Sequence, residues 1–200
     1  MSTRERLDRP FFARSTLNVA IELLGQHLVR IDEDGVRLSG MIIETEAYVG
    51  VEDLGCHAHS GRTKRNAIMW GPPGIAYVYF TYGMHWMLNM VTEEDGFPAA
   101  VLLRGILPID GLERIRSRRL VRSSKDLTNG PAKICQALGI DGQFNGHDVC
   151  GPESVLFIER GLDVDESLVT LSPRVGLNSV PEPWKSIPWR FQVDPESTKN

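Results

Sequence analysis

Cysteine is scarce in this 200-residue chain: Cys56, Cys135 and Cys150 are widely spaced and odd in number. Such a count reads as no disulfide framework and fits a reducing compartment. No apolar run approaches the ~20 residues of a membrane-spanning helix. Residues 1–10 are charged and hold no apolar stretch, so neither a membrane partner nor a secretory signal is expected. The phosphate-loop pattern Gly-x-x-x-x-Gly-Lys-Ser/Thr is missing, as is the glycine fingerprint of dinucleotide-binding folds, which leaves nucleotide cofactors without support. Zinc-finger Cys pairs, His-Glu-x-x-His and the zinc-deaminase signature are missing too. The expectation is therefore no cofactor and no metal.

A positive charge excess is also lacking. Lys and Arg number 22 against 26 Asp and Glu, a net charge of −4, which taken whole argues against a nucleic-acid partner. The distribution argues differently. Residues 101–135 hold eight Lys/Arg and three Asp/Glu, or +5, and the remainder carries −9. A basic stretch sits in an otherwise acidic protein.

What is present suits one globular unit. Apolar residues make up 42% and charged residues 24% of a chain long enough to bury a core without staples. We expect a single domain over residues 1–200, with loose ends at 1–10 and 195–200. Apolar spacing predicts a helix over 15–27, ended by Gly25. A hairpin follows, 28–31 with 36–48, around Asp32-Glu33-Asp34-Gly35. Strands are expected at 75–82, 84–91 and 99–103, then helices at 110–120 and 131–138, the latter capped by Asn129 and stopped by Gly139. Short strands near 155–158 and 168–171 precede a tail rich in Pro and Trp. Strands and helices without βαβ spacing indicate an α+β fold: a curved, largely antiparallel sheet with surrounding helices.

Several residues stand out chemically. Glu44, Glu46 and Tyr48 share one face of a strand of period two, and carboxylates are uncommon in apolar strands unless paired or used. His57 and His59 follow in a long polar loop. Cys56, His57 and His59 also pose a metal reading. Three of the four tyrosines, Tyr77, Tyr79 and Tyr82, lie together; core packing accounts for part of this, but Tyr82 has the opposite parity and abuts Gly83. A tyrosine at a glycine turn can stand out as a platform or wedge for bases.

These segments together resemble the alkyladenine (3-methyladenine, or methylpurine) DNA glycosylase family. The resemblance rests on Glu44-Thr45-Glu46-Ala47-Tyr48, Glu52-Asp53, His57, Arg62-Thr63-x-Arg65-Asn66-x-x-Met69, Gly74-x-x-Tyr77-Val78-Tyr79-x-x-Tyr82-Gly83-Met84 and Asn89. Leu102-Leu103-Arg104, Gly130-Pro131-x-Lys133 and Arg174-Val175-Gly176 continue it in order, so it covers about residues 11–193. It implies a monofunctional N-glycosylase of base excision repair, acting on duplex DNA that carries alkylated or deaminated purines. By the same resemblance Glu46 activates water, Arg104 helps to position it, and the Val175 backbone carbonyl adds a contact. Tyr48, His57 and Tyr79 wall the flipped-base pocket, Asn89 can oppose the exocyclic amine of guanine, and Tyr82 wedges into the duplex.

The basic stretch offers a phosphate footprint, with Lys133 at the start of its helix and Arg116 and Arg119 on the preceding one. For those arginines an exposed, solvated helix face is the competing reading. A monomer is expected; compact size points to a prokaryotic source, with a cytoplasmic or nucleoid-associated location. Two alternatives stand: a damaged-DNA-binding protein without turnover, and a metal hydrolase built on Cys56, His57 and His59.

Overall fold

A computed structural model describes residues 4–121, 123 and 126–197. Residues 1–3 and 198–200 of the two ends expected to be loose, and 122, 124 and 125 of the basic stretch, lie outside the described residues. Two short helices open the chain: α1 (Arg9–Phe12) and α2 (Thr16–Glu22). Next come β1 (His27–Ile31) and β2 (Arg37–Val49), then β3 (Ala76–Thr81), β4 (His85–Val91) and β5 (Ala99–Asp110). Helices α3 (Leu112–Arg118) and α4 (Pro131–Leu138) follow, and β6 (Leu156–Glu159), β7 (Val169–Ser172) and β8 (Arg190–Val193) finish the fold. All pairings are antiparallel, in the order β3-β4-β5-β2-β1-β6, with β8 on β2 and β7 on β8. This is the α+β fold with a curved antiparallel sheet.

Strand β2 organises the sheet. Its first half pairs with β1 and its second half with β8, while β5 lines the other edge from Ser39 to Val49. Register shifts against β5 near Gly40 and Glu44 bend the ribbon, as bulges do. Alternation then separates two faces. Thr45 and Ala47 turn inward, Thr45 Oγ1 donating to the Ala20 carbonyl of α2, while Glu46 and Tyr48 turn to the other side. Likewise Leu88, Met90, Val101 and Leu103 enter the main core under α2 and α4, whereas Asn89, Leu102 and Arg104 face away. Burying each such Leu contributes about 1.5–3 kcal/mol, so this apolar alternation holds the register that presents the polar face.

Several boundaries differ from expectation. The helix expected over 15–27 closes at Glu22, because Gly25, at φ 85°, turns the chain and its amide bonds to Ile42. The start of α2 is capped from a distance: Glu93 accepts from both the amide and the hydroxyl of Thr16. Strand β5 runs on past Arg104 to Asp110, which shortens the following helix, and the cap of α4 is Gly130 instead of Asn129. Leu7 is buried, and its amide bonds to the Ile158 carbonyl beside the Arg6–Glu159 bridge. The amino-terminal segment is thereby paired to the sheet from residue 5 onward.

Candidate active site

Glu46 is fully buried, yet polar groups surround it. Its Oε2 accepts the Tyr48 hydroxyl at 2.8 Å, and its Oε1 accepts the Val175 amide at 2.7 Å. Arg104 of β5 lies farther off, with Nη1 3.4 Å from Oε2 and Nε 3.3 Å from Oε1. Burial pushes the Glu46 carboxyl above the usual range; Arg104, the Val175 amide and the Tyr48 hydroxyl pull it back, and neighbouring Glu44 pushes it up again. The outcome is a carboxyl with raised basicity, held by donors that favour its ionised form.

Beside it opens a cavity of about 340 Å³, within the ~300–1,000 Å³ of small-molecule sites. Tyr48, His57, Tyr77, Tyr79, Asn89, Arg104 and Val175 line it. The His57 ring stands edge-on to Tyr79 at 4.5 Å, and its Nδ1 lies 2.9 Å from the Tyr77 hydroxyl. Surrounding protein and Arg65 push the imidazole pKa down, so it is neutral at pH 7 although open to the cavity. Burial pushes Tyr79 up to about 12, which leaves the phenol protonated. Asn89 donates Nδ2 to the Tyr77 carbonyl, so its amide oxygen is the end left for a ligand. The walls are planar and the polar groups few, an arrangement that suits a flat heterocycle.

The support of Val175 is a feature that sequence reasoning missed. Arg174 is buried against Asp53 with contacts of 2.5 and 2.8 Å, and it also donates to the Ala47 carbonyl. Its guanidinium lies 4.7 Å over the Tyr48 ring. Asp53 in turn accepts the Val49 and Gly55 amides. A Cβ at Gly55 would come within 2.7 Å of Leu177 Cδ1 and 2.9 Å of Arg174 Nη2, so a side chain there would displace the clamp. This clamp ties the loop after β7 to the end of β2 and sets the Val175 amide on Glu46. The bond to Glu46 comes from the backbone N–H of Val175, a contact additional to the one expected of its carbonyl with the water. Cys56, His57 and His59 diverge: Cys56 Sγ accepts the Ala58 amide, His57 meets Tyr77, and His59 Nδ1 lies against the Val51 carbonyl.

Comparison with known proteins shows the family of the chain. The family model for methylpurine-DNA glycosylase matches residues 10–197. The chain belongs to this family. It is 46% identical over 187 residues to the "Putative 3-methyladenine DNA glycosylase" of Carboxydothermus hydrogenoformans, covering 94% of both chains. Proteins of the same name match from Methanocella arvoryzae, at 46% identity over 92% of this chain and 90% of the relative, and Streptomyces avermitilis, at 44% over 98% and 91%. The chain is thus a DNA glycosylase family member, of the DNA-binding, base-excision-repair class.

The chain carries Tyr82 at the tip of the β3–β4 hairpin. Tyr82 is 81% exposed, with φ 52°, and Gly83 follows at φ 67°. A left-handed tyrosine is uncommon outside tight turns. Here it stands out of the surface next to Met84, also exposed, while Tyr79 lines the cavity three residues earlier.

The basic helix is less available than its sequence suggested. Arg114 pairs with Asp34 and Asp32, and Arg118 reaches Asp32. Arg119 donates to Gln136 and to the Asp126 carbonyl, while Arg116 is exposed. Lys133 bonds to Asn129 at 2.6 Å. Arg62 and Lys64, by contrast, are exposed and, among the described residues, have no ion pair. They precede Arg65, which donates to the Phe80 carbonyl and lies 5.2 Å over the Tyr79 ring. That basic segment borders the Tyr82 hairpin, and the charge count over 101–135 did not point to it.

Proposed function

We propose that this glycosylase removes alkylated purines, 3-methyladenine and 7-methylguanine first among them, from duplex DNA by hydrolysing the N-glycosidic bond. The observation that carries this reading is the buried Glu46 carboxylate behind an aromatic cavity, held by Tyr48, Arg104 and the Val175 amide. The names of its relatives point to the same first substrate.

The target base leaves the stack, since its glycosidic bond is out of reach inside the duplex. Tyr82 fills the gap and offsets an unstacking cost of a few kcal/mol. An alkylated purine carries a positive charge and stacks between Tyr48, His57 and Tyr79. As the bond between C1′ and the base nitrogen breaks, its electron pair goes to the base and positive charge grows on the sugar. Glu46 stabilises that charge and takes a proton from the water that adds to C1′. The products are the neutral free base and an abasic site. Each carboxylate oxygen has two lone pairs, and the long contacts to Arg104 leave Glu46 capacity to accept from water.

Ethenoadenine and hypoxanthine are neutral and need protonation as they leave; they form the second tier of substrates. Arg62 and Lys64 contact phosphates beside the hairpin, with Arg116 and Lys133 as further footprint. Duplexes carrying each of the four lesions, scored for abasic sites, test the proposal. Base release lost in Glu46→Gln supports it, and release of none of these bases by the native protein sinks it. Tight lesion binding without release would instead favour a binding protein.

A further inference from the structure

Four charged side chains alternate in sign across three strands. Arg190 of β8 donates Nε to Glu44 Oε1 at 2.7 Å, and the same oxygen accepts Nε of Arg104 at 2.9 Å. Arg104 then reaches Glu46 only at 3.3 and 3.4 Å. The guanidinium is therefore shared unequally: its short, charge-assisted bond goes to Glu44 and its long contacts go to Glu46. Gly105 stands opposite Glu44 in the register, and a Cβ there would come within 3.2 Å of the Glu44 side chain. The space that Glu44 needs beside Arg104 is thus built into the strand pair.

We propose that Glu44 is a positioning residue for hydrolysis: holding Arg104 through Nε, it stops the guanidinium from closing on Glu46 as a full ion pair, and Arg190 sets how strongly it pulls. This rests on the reading of Glu46 as the base. The groups that face Glu46 are Glu44 and Tyr48 from β2, Arg104 from β5, Tyr79 from β3 and the Val175 amide from the loop after β7, with Arg174 behind Tyr48. Of these, Glu44 alone is a second carboxylate, and it raises Glu46.

The sign of each substitution follows. Glu44→Gln removes a charge that raises Glu46 and replaces the charge-assisted bond to Arg104 Nε with a weaker neutral one, so Arg104 moves closer to Glu46. Both effects lower the basicity of Glu46, so the acid limb of the rate profile moves to lower pH while the plateau falls. Arg190→Gln leaves Glu44 less neutralised, and the acid limb moves to higher pH.

The test is single-turnover release of 7-methylguanine from methylated duplex DNA across pH, by native protein, Glu44→Gln, Arg190→Gln and Glu46→Gln. The fixed charge of 7-methylguanine keeps leaving-group protonation out of the profile. A ¹³C NMR titration of the Glu46 carboxyl accompanies it and needs no turnover. Opposite shifts of ~1 pH unit in the two variants, with DNA affinity unchanged and the native limb restored by Glu44→Asp, support the proposal. Limbs and carboxyl titrations that stay in place overturn it, even if melting temperatures fall. Should Glu44→Gln fail to fold, the Arg190→Gln arm decides alone, upward for and unmoved against. Full release by Glu46→Gln would overturn the parent reading along with this one, whereas an inactive Glu46→Gln with unmoved limbs overturns this one alone.

Discussion

Tyr48 donates its hydroxyl to Oε2 of Glu46 over 2.8 Å, with the Arg174 guanidinium 4.7 Å from the centre of its ring. The phenol is thereby fixed as a donor, because burial and the facing carboxylate push its own pKa far up. Tyr48→Phe keeps the ring as a wall and removes only the bond. That bond favours the ionised form of Glu46, so its loss raises the carboxyl further. Since the base must be ionised, the acid limb of base release moves to higher pH. A rate profile measured on a cationic lesion checks this.

Glu46→Gln replaces the base with an amide of the same shape, whose oxygen can still accept the Val175 amide. General-base assistance contributes about 10²–10⁴-fold, and the single-turnover rate falls by that order. Lesion binding in a gel-shift or anisotropy assay stays close to native, because Glu46 is fully buried behind the cavity lining.

Much of this site was legible in the sequence because strand periodicity fixes faces. Glu44, Glu46 and Tyr48 shared a face by parity alone, and Arg104 meets both carboxylates in the fold; Tyr82 lies past the end of β3 in a left-handed turn, where strand parity no longer applies. The α4 helix was legible from Pro131 and Gly139, whose backbone preferences act locally. Tertiary partners were not legible. Asp53 and Arg174 lie 121 positions apart, as far as any counting rule is concerned unrelated, and their pairing follows from the fold of the whole sheet. Charge counting favoured α3 for the same reason: the carboxylates that occupy Arg114 and Arg118 belong to the turn after β1, distant in sequence. The reach of β5 past Arg104 depended on a long partner, β2, that local propensity does not reveal.

Asp53→Asn tests the clamp. It leaves Arg174 charged and fully buried without its carboxylate. Breaking such a pair from one side costs about 3–5 kcal/mol, to be read in urea or thermal unfolding. The loop that delivers the Val175 amide loses its anchor too, so base release falls more steeply than the folded fraction does.

Tyr82→Ala separates stability from function. The side chain is 81% exposed, so unfolding free energy changes by less than about 0.5 kcal/mol. Ala meets the same left-handed backbone as Tyr, which cancels the conformational term. Loss of a stacking side chain costs ~1–3 kcal/mol, so affinity for a lesion duplex drops about 5- to 150-fold. Equal affinity of the two proteins for lesion DNA would remove the wedge from the mechanism.

Arg62→Ala with Lys64→Ala locates the phosphate footprint. Each phosphate contact contributes about 0.9 to the slope of log affinity against log salt, so the double variant flattens that slope by about two. Its melting temperature holds, because neither cation has an ion pair among the described residues. Arg114→Ala behaves in the opposite way. It strips a partner from Asp32, whose side chain is almost wholly buried, and so lowers the melting temperature while leaving the salt slope as it was. If instead the slope follows Arg114 and ignores Arg62 and Lys64, DNA lies across α3 and the footprint beside the hairpin is wrong.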